Sequence, residues 1–244
     1  MMIFNRIKKA LTCENMDKKE LDLLGVNDLD IQAEEIGIGG EFSKEKSKEA
    51  YRIRMQKRKE IQKKRLELRK SKKGLVIVFT GNGKGKTTAA LGMALRMLGH
   101  GHNVAIIQFI KGGWNPGEQK ALKVFGDNLK WHSIGEGFTW ETQDKERDKY
   151  FVKLAWEKSL SYITSKDFKL VILDELNIAL KLGYISTEEV INGLSKKPIN
   201  NHIVITGRGA TKELITIADL VTEMNLIHHP FKEQGIKAQE GIEF

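Results

Sequence analysis

Cysteine is almost absent from the 244 residues. Cys13 stands alone, which excludes an intramolecular disulfide and a cysteine-ligated zinc site, and a reducing cytoplasm is the expected compartment. No apolar run reaches the length of a membrane span, and the first residues lack the apolar stretch of a secretory signal. Met1–Leu11 does set Ile3, Phe4, Ile7 and Leu11 on one helical face. A pattern this brief reads as a short frayed helix sooner than as an anchor or a transit peptide. Also missing is any Ser-His-Asp or Cys-His arrangement, and His132, His228 and His229 read as structural. There are no internal repeats.

The charge is unevenly spread. The formal net charge is +9, yet Lys44–Lys73 alone carries 15 Lys/Arg against 4 Asp/Glu, while Met1–Ser43 carries 5 against 9. The remaining 21 against 19 leave Gly74–Phe244 nearly neutral, so the high isoelectric point belongs to one segment and not to the body of the protein. Residues 1–43 hold too little apolar surface for a core and close on Gly37-Ile38-Gly39-Gly40, and they read as an acidic appendage. Residues 44–73 contain no Gly or Pro and are rich in good helix formers, which predicts a polar helix leading to the first strand. Aromatic residues for stacking on bases are nearly absent there, so a solvated or subunit-packed helix is the reading, with a nucleic-acid-binding module as the alternative from another class. Residues 74–244 form the third region, with 40% hydrophobic residues in the whole chain supplying a core.

The chain is organised around Thr80–Thr88, TGNGKGKTT. It follows the apolar run Leu75–Phe79 and leads into Ala89–Leu98, the strand, glycine turn and helix that a phosphate-binding loop requires. Gly81, Gly83 and Gly85 remove side chains so that backbone N–H groups can curl around an anion, with Asn82 and Lys84 between them. The helix starting near Lys86 adds the positive end of its dipole. Lys86 is the mobile positive charge for phosphate oxygens, Thr87 is placed to ligate Mg²⁺, and Thr88 completes the set. The usual pattern begins with glycine, whereas Thr80 holds that position here.

From Leu75 onward, strand-like and helix-like segments alternate. This predicts an α/β domain with a mainly parallel sheet covered on both faces. Strands are expected at Asn103–Ile110, Leu129–Ile134, Leu170–Leu173 and His202–Thr206, with an edge strand at Leu220–Ile227. Helices are expected at Gly117–Phe125, Asp144–Ser165, Ser186–Leu194 (capped by Ser186 or Thr187) and Thr211–Ala218. Ligands of open α/β sheets bind beyond the carboxyl ends of the strands. There Asp174 and Glu175 are direct or water-mediated Mg²⁺ partners, and Lys111 and Arg208 are candidates for triphosphate or substrate contacts. Phe138 and Trp140 sit among Gly, Thr and Glu off any period, either plugging the domain edge or walling a large flat ligand.

TGNGKGKTTAALG, the QFIKG of Gln108–Gly112, GEGFTWETQD, VILDEL, ITGRGA and the closing KAQEGIEF occur in the order of the P-loop-type ATP:corrinoid adenosyltransferases, which the chain from Tyr51 to Phe244 resembles. The resemblance implies a RecA-like P-loop fold and transfer of the 5′-deoxyadenosyl group of ATP to Co(I) of cobalamin or of cob(I)yrinic acid a,c-diamide, with release of triphosphate. It makes Thr at the first loop position normal. It implies that the loop grips the phosphates in an orientation reversed from ordinary P-loop ATPases and kinases, the alternative among enzymes. Lys86, Phe138, Trp140 and Glu175 are then the residues expected to carry the reaction, the aromatics by displacing the lower axial ligand of cobalt. It further implies a homodimer, with Tyr51–Lys73 closing over the neighbouring subunit's site. A reductant protein such as a flavodoxin or flavin reductase is the expected partner, with neither nucleic acid nor membrane.

Overall fold

The computed structural model describes residues 41–69, 71–110, 116–135 and 144–243. The expectations for Met1–Gly40, Lys111, Phe138 and Trp140 lie outside them. The chain divides into two units, residues 1–71 and 72–244. In the first, helix α1 spans Glu41–Leu68, beginning before Lys44 and ending before Lys73. Its 28 residues make a rod of about 42 Å. Tyr51, Ile53, Leu66 and Leu68 are exposed on it, as a polar helix without a continuous apolar stripe requires.

The second unit is built on β1 (Val76–Thr80), α2 (Lys86–Gly99), β2 (Asn103–Gln108), α3 (Gly117–Leu122), β3 (Leu129–Ser133), α4 (Lys145–Ile163), β4 (Phe168–Asp174), α5 (Leu176–Lys181), α6 (Thr187–Leu194), β5 (His202–Thr206), α7 (Lys212–Ile217), β6 (Leu220–Glu223) and α8 (Pro230–Gln234). The six strands pair in the order β3-β2-β4-β5-β1-β6, and every pairing is parallel. One strand, β5, separates the loop strand β1 from the acidic strand β4, the order of a RecA-like sheet.

Strands buried on both faces read as continuous apolar runs, and alternation decides which helix each residue meets. Val76, Val78, Ile107, Val171, Leu173, Ile203 and Ile205 pack under Val152, Trp156 and Ile163 of α4 and under α5, α6 and Leu214 of α7. Ile77, Phe79, Ile106, Ile172 and Val204 pack instead on Ala90, Leu91, Ala94 and Leu98 of α2. Three helix starts carry side-chain caps. Asp144 accepts from Arg147 N–H at 3.1 Å, Ser186 from Glu189 N–H at 3.1 Å and Thr211 from Leu214 N–H at 3.3 Å, so Ser186 rather than Thr187 is the cap of α6.

Several elements differ from expectation. The helix expected over Gly117–Phe125 stops at Leu122 and tightens into a 3₁₀ stretch to Asn128, broken at Gly126 with φ 53°. The sequence pattern does not announce α5, whose six residues are too few to show a helical period. β6 lies at the sheet edge as expected but ends at Glu223, because Met224 turns beneath the glycine loop.

Residues that join the strands make stability depend on pH. Leu75 N–H donates to His202 Nδ1 at 3.2 Å, a bond only the neutral ring accepts. Burial pushes the His202 pKa down, aided by Lys197 and Lys169, and burial pushes His132 down as well. A histidine pKa lower in the folded than in the unfolded chain gives stability that is complete above the unfolded value of about 6.5 and is lost as pH falls below it. The urea midpoint is therefore expected to be lower at pH 5.5 than at pH 7.5, and His202→Gln to remove part of that difference. Asp219 does not contribute in this range. Burial raises its pKa, but the bonds from Lys73 and Val76 N–H outweigh that and leave it low, so its contribution fades only in stronger acid.

Candidate nucleotide site

At the carboxyl edge of β1 the chain enters the glycine loop. Gly81 has φ 91°, and a Cβ there would lie 2.5 Å from the Met224 carbonyl oxygen; one on Gly83 would lie 2.7 Å from the same atom. Both glycines are thus required by the chain packed beneath the loop as well as by an anion above it. Gly83 N–H donates to the Met224 carbonyl at 2.6 Å, and Met224 N–H donates to the Thr80 carbonyl at 2.9 Å. Gly85, with φ 99°, is the N-cap of α2 and brings no side-chain cap, so the first N–H groups of the helix are left for an anion.

Thr80 has a structural task that glycine could not perform. Its hydroxyl accepts from Ala210 N–H at 3.1 Å, tying the loop strand to the turn after β5 that carries Arg208. Lys86 is buried, and its ammonium donates to the carbonyls of Gly81 (2.8 Å) and Gly83. Burial lowers its pKa, the Glu175 carboxylate raises it, and the Arg208 guanidinium lowers it. Glu175 and Arg208 therefore both act on the same buried ammonium.

Asp174 ends β4 and is 1% exposed. Its Oδ1 accepts from the hydroxyls of Thr87 at 2.9 Å and Thr206 at 2.7 Å, and its Oδ2 accepts from Gln108 Nε2 at 3.0 Å. Thr206 in turn accepts from Glu175 N–H at 3.0 Å. Glu175 is the one non-glycine residue of positive φ (63°) among those described, a left-handed turn that starts α5. Gly207, at φ 122°, lets the neighbouring turn come close, since a Cβ there would stand 3.1 Å from Glu175 Oε2.

Carboxylate, threonine hydroxyl and loop amides are the hard oxygen donors and anion cradle that Mg²⁺ and a polyphosphate require, so the residues present fit both. The loop from Gly81 to Thr88, Asp174, Glu175 and Arg208 all meet at one edge of the sheet; Asn82, Lys84, Thr88 and Arg208 are exposed there. Sequence patterns did not single out Gln108 as a site residue, nor Thr206, Met224 or Glu243. Glu243 pairs with Lys84 and so brings the C-terminal segment to the loop.

The chain matches a family model and several relatives. The model, described as ATP:corrinoid adenosyltransferase BtuR/CobO/CobP, covers residues 72–244. A corrinoid adenosyltransferase of Sinorhizobium is 47% identical over 87% of this chain and all of its own length. One from Pseudomonas aeruginosa is 44% identical over 80% of this chain and 95% of its own. The corrinoid adenosyltransferase CobA of Salmonella typhimurium is 40% identical over 81% of this chain and all of its own.

Proposed function

The chain belongs to the ATP:corrinoid adenosyltransferase family, and from that premise we propose how its residues adenosylate a corrinoid with ATP. The cobalt of the corrinoid is the substrate. As Co(I) it supplies an electron pair to the 5′ carbon of ATP; the bond from that carbon to the triphosphate oxygen breaks, and triphosphate leaves with the bonding pair. No proton moves in this exchange, so no general base is needed. Catalysis consists of holding cobalt against the 5′ carbon and stabilising charge on the departing oxygen.

The observation that carries this reading is the buried Lys86 ammonium over the loop carbonyls, beside a helix start without a side-chain cap. An ammonium has three N–H donors. With two on Gly81 and Gly83, the third serves a phosphate oxygen, and Gly81–Thr88 cradle the chain of phosphates in the reversed orientation. Arg208 and Lys111 add positive charge for the triphosphate. When bound, Mg²⁺ neutralises part of the leaving group's charge. Thr87 and Glu175 would hold it, and Asp174 acts through the Thr87 hydroxyl and water, as its burial and three donor partners support.

Phe138 and Trp140 form the apolar wall for the corrinoid and displace its lower axial ligand, which eases reduction to Co(I). The molecule works as a homodimer, with Tyr51–Lys73 closing over the neighbour's site, and receives electrons from a reductant protein such as a flavodoxin or flavin reductase. The reaction is tested by anaerobic incubation with chemically reduced cob(I)alamin and MgATP, followed by identification of the phosphate species. Triphosphate in equal amount to a light-sensitive cobalt–carbon product is the expected result. Release of ADP or phosphate with cobalt unchanged would instead make the protein an ordinary P-loop ATPase.

A further inference from the structure

Ser133, Gln108 and Asp174 occupy one row across β3, β2 and β4, since Gln108 is the register partner of both others. The Gln108 side chain, 1% exposed, links them. Its Oε1 accepts from Trp131 Nε1–H at 3.1 Å and from the Ser133 hydroxyl at 2.8 Å, while its Nε2 donates to Asp174 Oδ2 at 3.0 Å.

This amide has one allowed orientation. An indole nitrogen only donates; turning the amide over would set its NH₂ against the Trp131 N–H and its oxygen against the Asp174 carboxylate. Trp131, whose N–H also lies 3.3 Å from the Ser133 hydroxyl oxygen, and the Asp174 carboxylate together fix the direction of each bond. Asp174 receives only donors. The Thr206 hydroxyl accepts from Glu175 N–H and gives its proton to Oδ1. The Thr87 hydroxyl also gives its proton to Oδ1, which leaves the lone pairs of Thr87 Oγ1 for a cation.

We propose that Gln108, locked by Trp131, is a positioning residue that orients Asp174 and through it the Thr87 hydroxyl toward Mg²⁺ of the bound nucleotide. This rests on the reading of Thr87 and Asp174 as the metal side of the site. Gln108 touches neither nucleotide nor metal and acts through the carboxylate alone.

The test is ATP binding by calorimetry without corrinoid, once with Mg²⁺ and once with EDTA, on the full chain and on Gln108→Leu and Trp131→Phe. Loss of such an outer partner typically weakens a metal site 10–100-fold, so Gln108→Leu is expected to reduce the Mg²⁺-dependent gain in ATP affinity about tenfold. Its affinity in EDTA is expected to stay as in the unaltered chain. Trp131→Phe keeps the amide, the Ser133 bond and the Asp174 bond but removes one side of the lock, so it is expected to lower the same gain by less.

A Gln108→Leu protein with the full Mg²⁺-dependent gain, or one weakened equally in both buffers, overturns the proposal; equal weakening is what a merely structural residue would produce. If Gln108→Leu does not fold, Trp131→Phe decides alone, and an unchanged gain in that variant overturns the proposal. If the unaltered chain itself shows no gain from Mg²⁺, the reading of the metal side fails and takes this inference with it. That failure is visible before any variant is compared.

Discussion

Lys86→Ala is expected to lower kcat/KM for adenosyl transfer by about 10²–10³-fold, the loss usual for a donor aimed at developing negative charge in a site that excludes water. The side chain is buried and already held by the carbonyls of Gly81 and Gly83. It therefore loses little freedom when phosphate arrives, and its charge acts with little screening. Alanine removes that charge and also leaves two loop carbonyls without their partner, so weaker ATP binding is expected beside the slower transfer. Lys86→Arg is not expected to restore the rate, because a planar guanidinium cannot take the place of a compact ammonium between two carbonyls. Steady-state kinetics with chemically supplied Co(I) isolate the effect, since reduction of cobalt is then outside the measurement. A Lys86→Ala protein within about threefold of normal kcat/KM, against the loss usual for such a donor, would remove Lys86 from the mechanism.

Asp174→Asn changes a single atom, yet its effect is expected to spread along the whole buried chain of bonds. With the Asn oxygen on Thr87 and Thr206 the new NH₂ faces the NH₂ of Gln108; with the Asn amide turned over, the two hydroxyls accept from it and their own protons lose their acceptor. Turning Gln108 relieves the first clash but brings its NH₂ against the Trp131 N–H. Each arrangement sets an added N–H group among the same acceptors, so one donor of the row loses a good partner, which costs about 1–3 kcal/mol of unfolding free energy. Because Thr87 is then poorly oriented, turnover at limiting Mg²⁺ is expected to fall about 10–100-fold. Urea unfolding and a Mg²⁺ titration of the rate check the two parts separately. Unchanged unfolding would mean that the carboxylate is not held as described.

Much of the fold and half of the site are legible in local sequence. A strand, three glycines, Lys-Thr and a helix follow one another within Leu75–Leu98, and LVILDE places two carboxylates at a strand end, so short windows are enough. What those windows cannot carry is partnership across the sheet. Gln108 and Asp174 are 66 residues apart, and only the register of β2 against β4 makes them neighbours. Thr206 reaches Asp174 because β5 is inserted beside β4.

The same limit explains Thr80. As a departure from the usual loop pattern it looks like a defect, and the Ala210 N–H 130 residues away supplies the reason. Apolar periodicity overestimated β6 because Met224 is apolar, although its backbone leaves the sheet to support Gly83. Glu243 reaches Lys84 from 159 residues away. Phe138 and Trp140 lie outside the described residues, and the motif GEGFTWETQD is what proposes them for the corrinoid.

The choice between this chemistry and ordinary nucleotide hydrolysis comes down to which bond of ATP breaks. The direct measurement is an anaerobic single turnover with cob(I)alamin and ATP carrying ¹³C at the 5′ carbon. The expected result is the labelled carbon bonded to cobalt, released as 5′-deoxyadenosyl on exposure to light, with intact triphosphate in equal amount. Label remaining in ADP or AMP, with the cobalt spectrum unchanged, would contradict the account at its centre.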